Sequence, residues 1–127
     1  MSARILMIED DADFLEVITF LLKSAGYQLS TATNGQEGLE KARKDRPDLI
    51  VTDLMLPKLN GYEICTMLKQ DVRYRTIPVI MLSATKVEEQ DVKLAGDCGA
   101  NAFLVKTAAQ QELLKKIQEL LAPAQSG

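Results

Sequence analysis

The stretch PDLIVTDLMLP, residues 47–57, contains a short apolar run that ends on a carboxylate. Leu49 to Thr52 is almost entirely apolar, which is typical of a parallel strand covered by helices on both faces. Asp53 follows this run directly, and no helix begins there whose N-terminus the carboxylate could cap. Either Asp53 simply reaches solvent, or a function offsets the cost of desolvating a carboxylate at the end of a buried strand. The setting favours the functional interpretation.

Three further apolar runs end on residues that could handle a metal ion or a phosphoryl group. Helical periodicities separate the runs, and this alternation predicts βαβ units in a mostly parallel sheet. The carboxyl ends of parallel strands emerge on one edge, where open α/β sheets bind ligands. The sequence therefore predicts a cleft with carboxylates, a hydroxyl and an ammonium. The residues that follow the three runs are Glu9, Asp10 and Asp11 after residues 5–8, Ser83 after residues 79–82, and Lys106 after residues 103–105.

Five strands and five helices are predicted from these patterns. The strands are Arg4 to Ile8, Tyr27 to Ala32, Leu49 to Thr52, Val79 to Leu82 and Ala102 to Val105. The helix after the fourth strand has only a thin apolar stripe, formed by Val87, Val92, Leu94 and Ala95. The predicted buried positions of three other helices are Phe14, Val17, Ile18, Leu21, Leu22 and Ala25 in the first, Ile64, Met67 and Leu68 in the third, and Leu113, Leu114, Ile117, Leu120 and Leu121 in the last.

The length and the charge of the chain limit its possible functions. A chain of 127 residues with 46% apolar content is expected to form a single domain with one ordinary core. The net charge of −3 argues against a nucleic-acid surface. No run reaches membrane-spanning length, and the N-terminus does not resemble a signal peptide. The basic residues are scattered along the sequence, as on solvated helix faces, and include Arg43, Lys44, Arg46, Arg73, Arg75, Lys115 and Lys116.

The chain contains no histidine, which excludes Ser-His-Asp and Cys-His catalysis within it. If a phosphohistidine donates a phosphoryl group to this protein, that histidine belongs to another chain. Cys65 and Cys98 show no metal-binding spacing, so zinc is not expected. They are interpreted as reduced thiols of a cytoplasmic protein, packed as small apolar residues.

The three consecutive acids after the first strand have a structural and a functional interpretation. One carboxylate, Asp11, would suffice to cap the first helix and to complement its dipole. Three adjacent like charges exceed that need, because each raises the pKa of the others. A bound cation would remove this penalty, so Glu9 and Asp10 are predicted to bind a metal ion.

Taken together, these motifs resemble the receiver domain of a bacterial two-component response regulator, from about residue 3 to residue 121. The resemblance implies a flavodoxin-like, three-layer α/β/α fold with a five-stranded parallel sheet of order 2-1-3-4-5 and five helices. It also implies one receiver domain over residues 1–127, with residues 122–127 as a tail or the start of a linker. The matching stretches are ILMIEDD (5–11), PDLIVTDLMLP (47–57) with Asn60-Gly61, IPVIMLSA (77–84) and GANAFLVK (99–106).

The resemblance also implies a role for individual residues. Asp53 corresponds to the phosphoacceptor, and Ser83 and Lys106 to the hydroxyl and ammonium groups that contact the phosphoryl group. Phe103 corresponds to an aromatic switch position. The positions that border the path of the hydrolytic water are Met55 and Thr85. The implied Mg²⁺ ligands are Glu9, Asp10, Asp53 and the backbone carbonyl of Met55.

The chain departs from the family pattern after Lys106. The family usually has a proline there, often in a cis peptide bond, whereas this chain has Thr107. Thr107 with Gln110 three residues later forms a T-x-x-Q capping box, and Ala109 is a poor cap. The last helix is therefore predicted to be capped by Thr107, and the geometry of the Lys106–Thr107 peptide is left open.

The expected function is that of a phosphoacceptor switch, phosphorylated on Asp53 by a partner histidine kinase in the presence of Mg²⁺. The expected partners are this kinase or a phosphotransfer protein, a downstream target or output domain, and a second copy docked through the fourth helix, fifth strand and fifth helix. No membrane or direct nucleic-acid partner is expected. Two alternatives remain: a metal-dependent phosphohydrolase with an aspartyl-phosphate intermediate, and a degenerate receiver used only for protein contacts. The hydrolase alternative lacks the second acid, because Met55 stands two residues after Asp53.

Overall fold

The computed structural model describes residues 2–83, 93–94, 96–107 and 110–126. Its five strands form one sheet of order β2-β1-β3-β4-β5, and every neighbouring pair is parallel. This confirms the predicted topology. In chain order the elements are β1 (Arg4–Ile8), α1 (Ala12–Ser24), β2 (Gln28–Ala32), α2 (Gly35–Asp45), β3 (Leu49–Asp53), α3 (Gly61–Lys69), β4 (Val79–Ser83), β5 (Ala102–Val105) and the C-terminal helix (Gln110–Ser126).

Helices cover the sheet on both sides, which explains the continuous apolar runs of its central strands. All residues of β3 and β4 are buried. Because side chains alternate along a strand, Leu6 and Ile8 pack on the side of α2 and α3, whereas Ile5 and Met7 pack under α1 and the C-terminal helix. The domain therefore has two apolar layers separated by the sheet.

Polar caps begin the first three helices directly after the loops that follow the strands. The Asp11 side chain accepts hydrogen bonds from the N–H groups of Asp13 and Phe14 and caps α1. Asn34 caps α2, and Asn60 forms a capping box with Glu63 in α3. These caps fix where each helix leaves the edge of the sheet that carries the strand ends.

Three predicted core positions are wrong, and one of them is Ala25, which is exposed directly after the last residue of α1. Val17 on α1 is 46% exposed and Met67 on α3 is 39% exposed. In α3 the buried positions are Ile64, Cys65 and Leu68, so Cys65 replaces Met67. A helical apolar stripe spans about 100° or more, and periodicity alone does not determine which residues at its border face the sheet.

Part of the predicted fourth helix lies outside the described residues. This applies to Val87, Val92 and Ala95, whereas Leu94 is described and is 46% exposed. Thr107 and Gln110 of the predicted capping box are described, but residues 108 and 109 between them also lie outside the described residues. The described residues contain no cis peptide bond, so the Lys106–Thr107 peptide is trans. Among them, no helix is both long and apolar enough to cross a membrane.

Candidate phosphorylation and metal site

The carboxyl ends of β1, β3, β4 and β5 lie side by side. In the strand registers Ile8 pairs with Thr52, Asp53 with Leu82, and Ser83 with Val105. The residues at or directly after these ends are Glu9, Asp53, Ser83 and Lys106, so the sheet brings distant sequence positions to one edge.

Three carboxylates form a compact acidic cluster at this edge. One oxygen from each of Glu9, Asp10 and Asp53 lies within 4.8 Å of the others. Glu9 is fully buried and Asp53 is 4% exposed, whereas Asp10 faces solvent. Asp11 caps α1, as the structural interpretation of the acidic run predicted. The cluster thus combines two buried carboxylates with one that is open to solvent.

The Lys106 ammonium bridges two of these carboxylates. Its Nζ lies 2.5 Å from Glu9 Oε1 and 3.0 Å from Asp53 Oδ2. Burial acts to lower the pKa of Lys106, but its hydrogen bonds to Glu9 and Asp53 outweigh burial and raise the pKa. Lys106 therefore stays charged and supplies a fixed positive group directly beside the Asp53 carboxylate.

Glu9 is the most strongly perturbed acid of the cluster. Burial raises the pKa of its carboxyl from 4.5 to about 7, against the opposing effects of Lys106 and of the Asp11 N–H that donates to Oε2 at 3.0 Å. Within the described part of the chain, Glu9 Oε1 makes no contact with a polar partner other than the Lys106 ammonium. Positive charge near this atom would stabilise its ionised form.

The loop between β3 and α3 is held tightly against Asp53. A Cβ atom on Gly61 would lie 2.5 Å from the Asp53 carbonyl oxygen, so only glycine fits there without a shift of the backbone. The Gly61 N–H also donates to the Leu54 carbonyl at 3.0 Å. The Met55 N–H lies 3.4 Å from Asp53 Oδ1, and the Met55 side chain is 72% exposed at the rim of the site.

Three further residues were predicted to belong to the site: Ser83, Phe103 and Thr85. Ser83 is buried at the end of β4, and its carbonyl accepts a hydrogen bond from the Lys106 N–H at 2.7 Å. Phe103 on β5 is partly buried and packs on the apolar layer under α2 and α3. Thr85 lies outside the described residues.

Sequence reasoning missed one contact of the site. Phe14, predicted only as a core residue of α1, places its ring 4.8 Å from Lys106 Nζ. A cation held over an aromatic face is stabilised electrostatically, so Phe14 helps to orient the ammonium. A phenylalanine in an apolar helical stripe carries no signal that distinguishes this role from ordinary packing.

Comparison with known proteins relates this chain to bacterial response regulators. Residues 5–118 match the family described as the response regulator receiver domain. The chain is 36% identical over 121 residues to the alkaline phosphatase synthesis transcriptional regulatory protein PhoP of Bacillus subtilis, covering 95% of this chain and 49% of PhoP. It spans about half the length of the curated relatives it matches.

Solved structures of receiver domains and response regulators have the same fold as this chain. The signal receiver domain of a signal transduction histidine kinase from Syntrophus aciditrophicus matches with a TM-score of 0.89 and 34% identity, over 96% of this chain and 92% of that chain. The Mn²⁺-bound form of response regulator Rcp1 matches with a TM-score of 0.78 and 26% identity, over 94% of this chain and 92% of that chain. Fold and site thus define a signalling domain of the phosphoacceptor class. The chain belongs to the receiver domain family of two-component response regulators.

Proposed function

We propose that Asp53 is the phosphoacceptor of this receiver domain. The observation that carries the proposal is the Lys106 ammonium, 3.0 Å from Asp53 Oδ2, in a site that also contains Glu9 and Asp10. An Asp53 carboxylate oxygen attacks the phosphorus of the donor, a new P–O bond forms, and the donor leaves with the electrons of the broken bond. Phosphoryl transfer depends mainly on positioning and charge stabilisation, and Lys106 supplies both a fixed charge and a hydrogen-bond donor.

A small acyl phosphate tests this proposal without any partner protein. Incubation of the chain with Mg²⁺ and acetyl phosphate should add the mass of one phosphoryl group to the intact protein. A parent chain that takes up no phosphoryl group under these conditions would contradict the proposal.

The acidic cluster fits a divalent cation. Three carboxylates within 4.8 Å of one another form a hard oxygen donor set, and Glu9 contributes a buried oxygen whose one polar contact among the described residues is an ammonium. We propose that Glu9, Asp10, Asp53 and the carbonyl of Met55 hold Mg²⁺; Rcp1, a structural relative, was solved with Mn²⁺. The ion, when bound, neutralises charge that develops on the transferring phosphoryl oxygens.

The phosphoryl donor in the cell is proposed to be a histidine kinase or a phosphotransfer protein. These 127 residues contain no histidine, so the phosphohistidine of such a donor lies outside them. Cys65 and Cys98 are buried and are not joined by a disulfide bond, which is consistent with the proposed cytoplasmic location. The domain would then act as a signalling module rather than as an enzyme on other substrates, because Met55 occupies the place where a phosphohydrolase needs its second acid.

The proposed output is a change in the surface formed by the predicted fourth helix, β5 and the C-terminal helix, which contacts a target, an output domain or a second copy. Ser83 would move toward the phosphoryl group and Phe103 would turn inward. The Lys106 N–H bond to the Ser83 carbonyl links the two strand ends, so a movement of one end is transmitted to the other.

Hydrogen exchange tests this switch. Addition of Mg²⁺ and beryllofluoride, a phosphoryl analogue, should change amide protection most strongly across residues 83–108. In sequence the predicted fourth helix has only a thin apolar stripe, and a segment that buries little apolar surface opens locally at low cost, as a switch requires. Strand β2, at the far edge of the sheet, serves as the internal control and should keep its protection. Equal protection of residues 83–108 with and without the analogue would contradict the switch.

The phosphorylated form is expected to be long-lived because of Met55. A methionine side chain does not orient the attacking water by a strong hydrogen bond, and this side chain lies at the rim of the site. Met55→Asn should place a polar group there and speed the loss of the phosphoryl group by about tenfold, or ~1.4 kcal/mol of barrier. Met67→Asn, the same substitution on α3, is the matched control and should leave the decay unchanged. If the parent already decays as fast as Met55→Asn, water positioning at residue 55 does not set the lifetime.

A further inference from the structure

A group of arginines surrounds one buried tyrosine at the end of the molecule opposite Asp53. Tyr74 is 6% exposed, and its ring centroid lies 5.5 Å from the Arg46 guanidinium carbon and 5.1 Å from that of Arg73. The Tyr74 hydroxyl donates to the Arg43 carbonyl at 3.3 Å. Residues 43–46 precede β3 and residues 73–75 precede β4, so two basic stretches that are separate in sequence meet at the amino-terminal edge of the sheet.

Arg46 has a backbone conformation that an arginine rarely adopts. It follows the last residue of α2 with φ 47° and ψ 67°, in the left-handed region that favours glycine or asparagine. Pro47 follows, and a residue before proline is disfavoured in the helical conformation, so the helix ends here whatever residue occupies position 46. The turn therefore does not require the arginine side chain, and the strain at this position suggests that the side chain has a function.

The positive charge of this group is compensated only in part within the chain, by Asp71, whose pKa is lowered first by its hydrogen bonds with Arg73 and also by the charge of Arg43. Asp71 accepts hydrogen bonds from Nε and from a terminal nitrogen of Arg73, at 3.1 and 2.8 Å. Across the described ranges, no carboxylate lies within ion-pair distance of the exposed side chains of Arg43 and Arg46. Exposed guanidinium groups with free donors can bind carboxylates in a bidentate geometry.

We propose that this arginine surface, formed by Arg43, Arg46 and Arg73 around Tyr74, binds an acidic segment of a partner protein. Two observations favour a protein segment over a nucleic acid. The chain as a whole has a net charge of −3, which repels a long polyanion but tolerates a short acidic segment. Val72, next to Arg73, is 74% exposed and offers an apolar contact beside the guanidinium groups. The surface lies at the opposite end of β3 from Asp53, so it is independent of the phosphorylation site and of its proposed function.

A synthetic peptide can test the arginine surface. The probe is a fluorescein-labelled peptide of about ten residues in which glutamates alternate with leucines, and the reference peptide has glutamine in place of each glutamate. The parent chain should bind the acidic peptide at least tenfold more tightly than the reference, and binding should weaken with salt because exposed charges are screened. Absence of binding by the parent, or equal binding of both peptides, would overturn the proposal.

Arg46→Gly is the decisive variant. Glycine adopts a positive φ freely, so the thermal midpoint should stay the same or rise while peptide affinity falls about tenfold, which separates lost recognition from lost folding. Lys115→Gln removes one exposed positive charge from the C-terminal helix and should leave binding unchanged. Equal affinity of Arg46→Gly and the parent would overturn the assignment. If single-stranded DNA binds as tightly as the acidic peptide and Arg46→Gly abolishes both, the surface is a polyanion site and the protein-partner proposal is wrong.

Discussion

Asp53→Asn should abolish uptake of a phosphoryl group from acetyl phosphate. The amide is nearly isosteric with the carboxylate and can still accept a hydrogen bond from Lys106, so the fold and the position of the ammonium should persist. The amide oxygen is a far weaker nucleophile, and an acyl phosphate can no longer form at this position. Intact-protein mass measurement after incubation with Mg²⁺ and acetyl phosphate should show the added phosphoryl group in the parent and none in the variant.

Asp48→Asn is the matched control for this experiment. Asp48 precedes the other end of β3, is exposed, and accepts a hydrogen bond from the Arg4 backbone N–H. It undergoes the same chemical substitution directly before the same strand and should retain full phosphorylation. A modification that persists in Asp53→Asn, or that is lost in Asp48→Asn, would show that the phosphoryl group is attached elsewhere.

The topology of this domain could be predicted from sequence because its signals are local and repeated. Four of the five strands are apolar runs with polar residues at or directly after their ends, and helical periodicities separate the strands, so the alternation alone predicts a parallel sheet. The order 2-1-3-4-5 came from the resemblance to receiver domains. The caps Asp11, Asn34 and Asn60 mark helix starts through side-chain chemistry that is readable in sequence.

Other properties arise only when separate segments meet. The pKa of Glu9 depends on its complete burial and on Lys106, which lies 97 positions further along the chain. Tyr74 brings Arg46 and Arg73 together, although the sequence shows only scattered basic residues. Met67 was predicted as buried because it fits the helical period, but the contacts of α3 bury Cys65 instead. These features depend on tertiary contacts, which periodicity does not encode.

The charges at the edge of the sheet do not balance without a cation. Glu9, Asp10 and Asp53 carry three negative charges when ionised, and Lys106 supplies one positive charge. Burial penalises the two least exposed carboxylates, and their proximity adds repulsion. The raised pKa of Glu9, about 7, reflects this burial cost, and protonation of Glu9 would relieve part of it. A divalent cation would lower it further, so its binding should depend strongly on each carboxylate.

Asp10→Asn is therefore expected to weaken Mg²⁺ binding by about ten- to a hundredfold, a range typical for the loss of groups that support a metal site. Asp10 is the carboxylate of the cluster that faces solvent, so its charge is available to an incoming ion without a desolvation cost. The chain contains no tryptophan, so isothermal titration calorimetry is a suitable measurement.

Asp11→Asn is the control that distinguishes a ligand from the general effect of negative charge. It removes one charge from the adjacent residue, and asparagine is as good an N-cap as aspartate, so α1 should keep its first turn. Its Mg²⁺ affinity should fall much less than that of Asp10→Asn, because the exposed Asp11 carboxylate acts on the ion through water of high dielectric constant rather than as a ligand. Equal weakening in both variants would mean that the ion responds to the local negative field rather than to Asp10. Unchanged affinity in Asp10→Asn would exclude this carboxylate from the site.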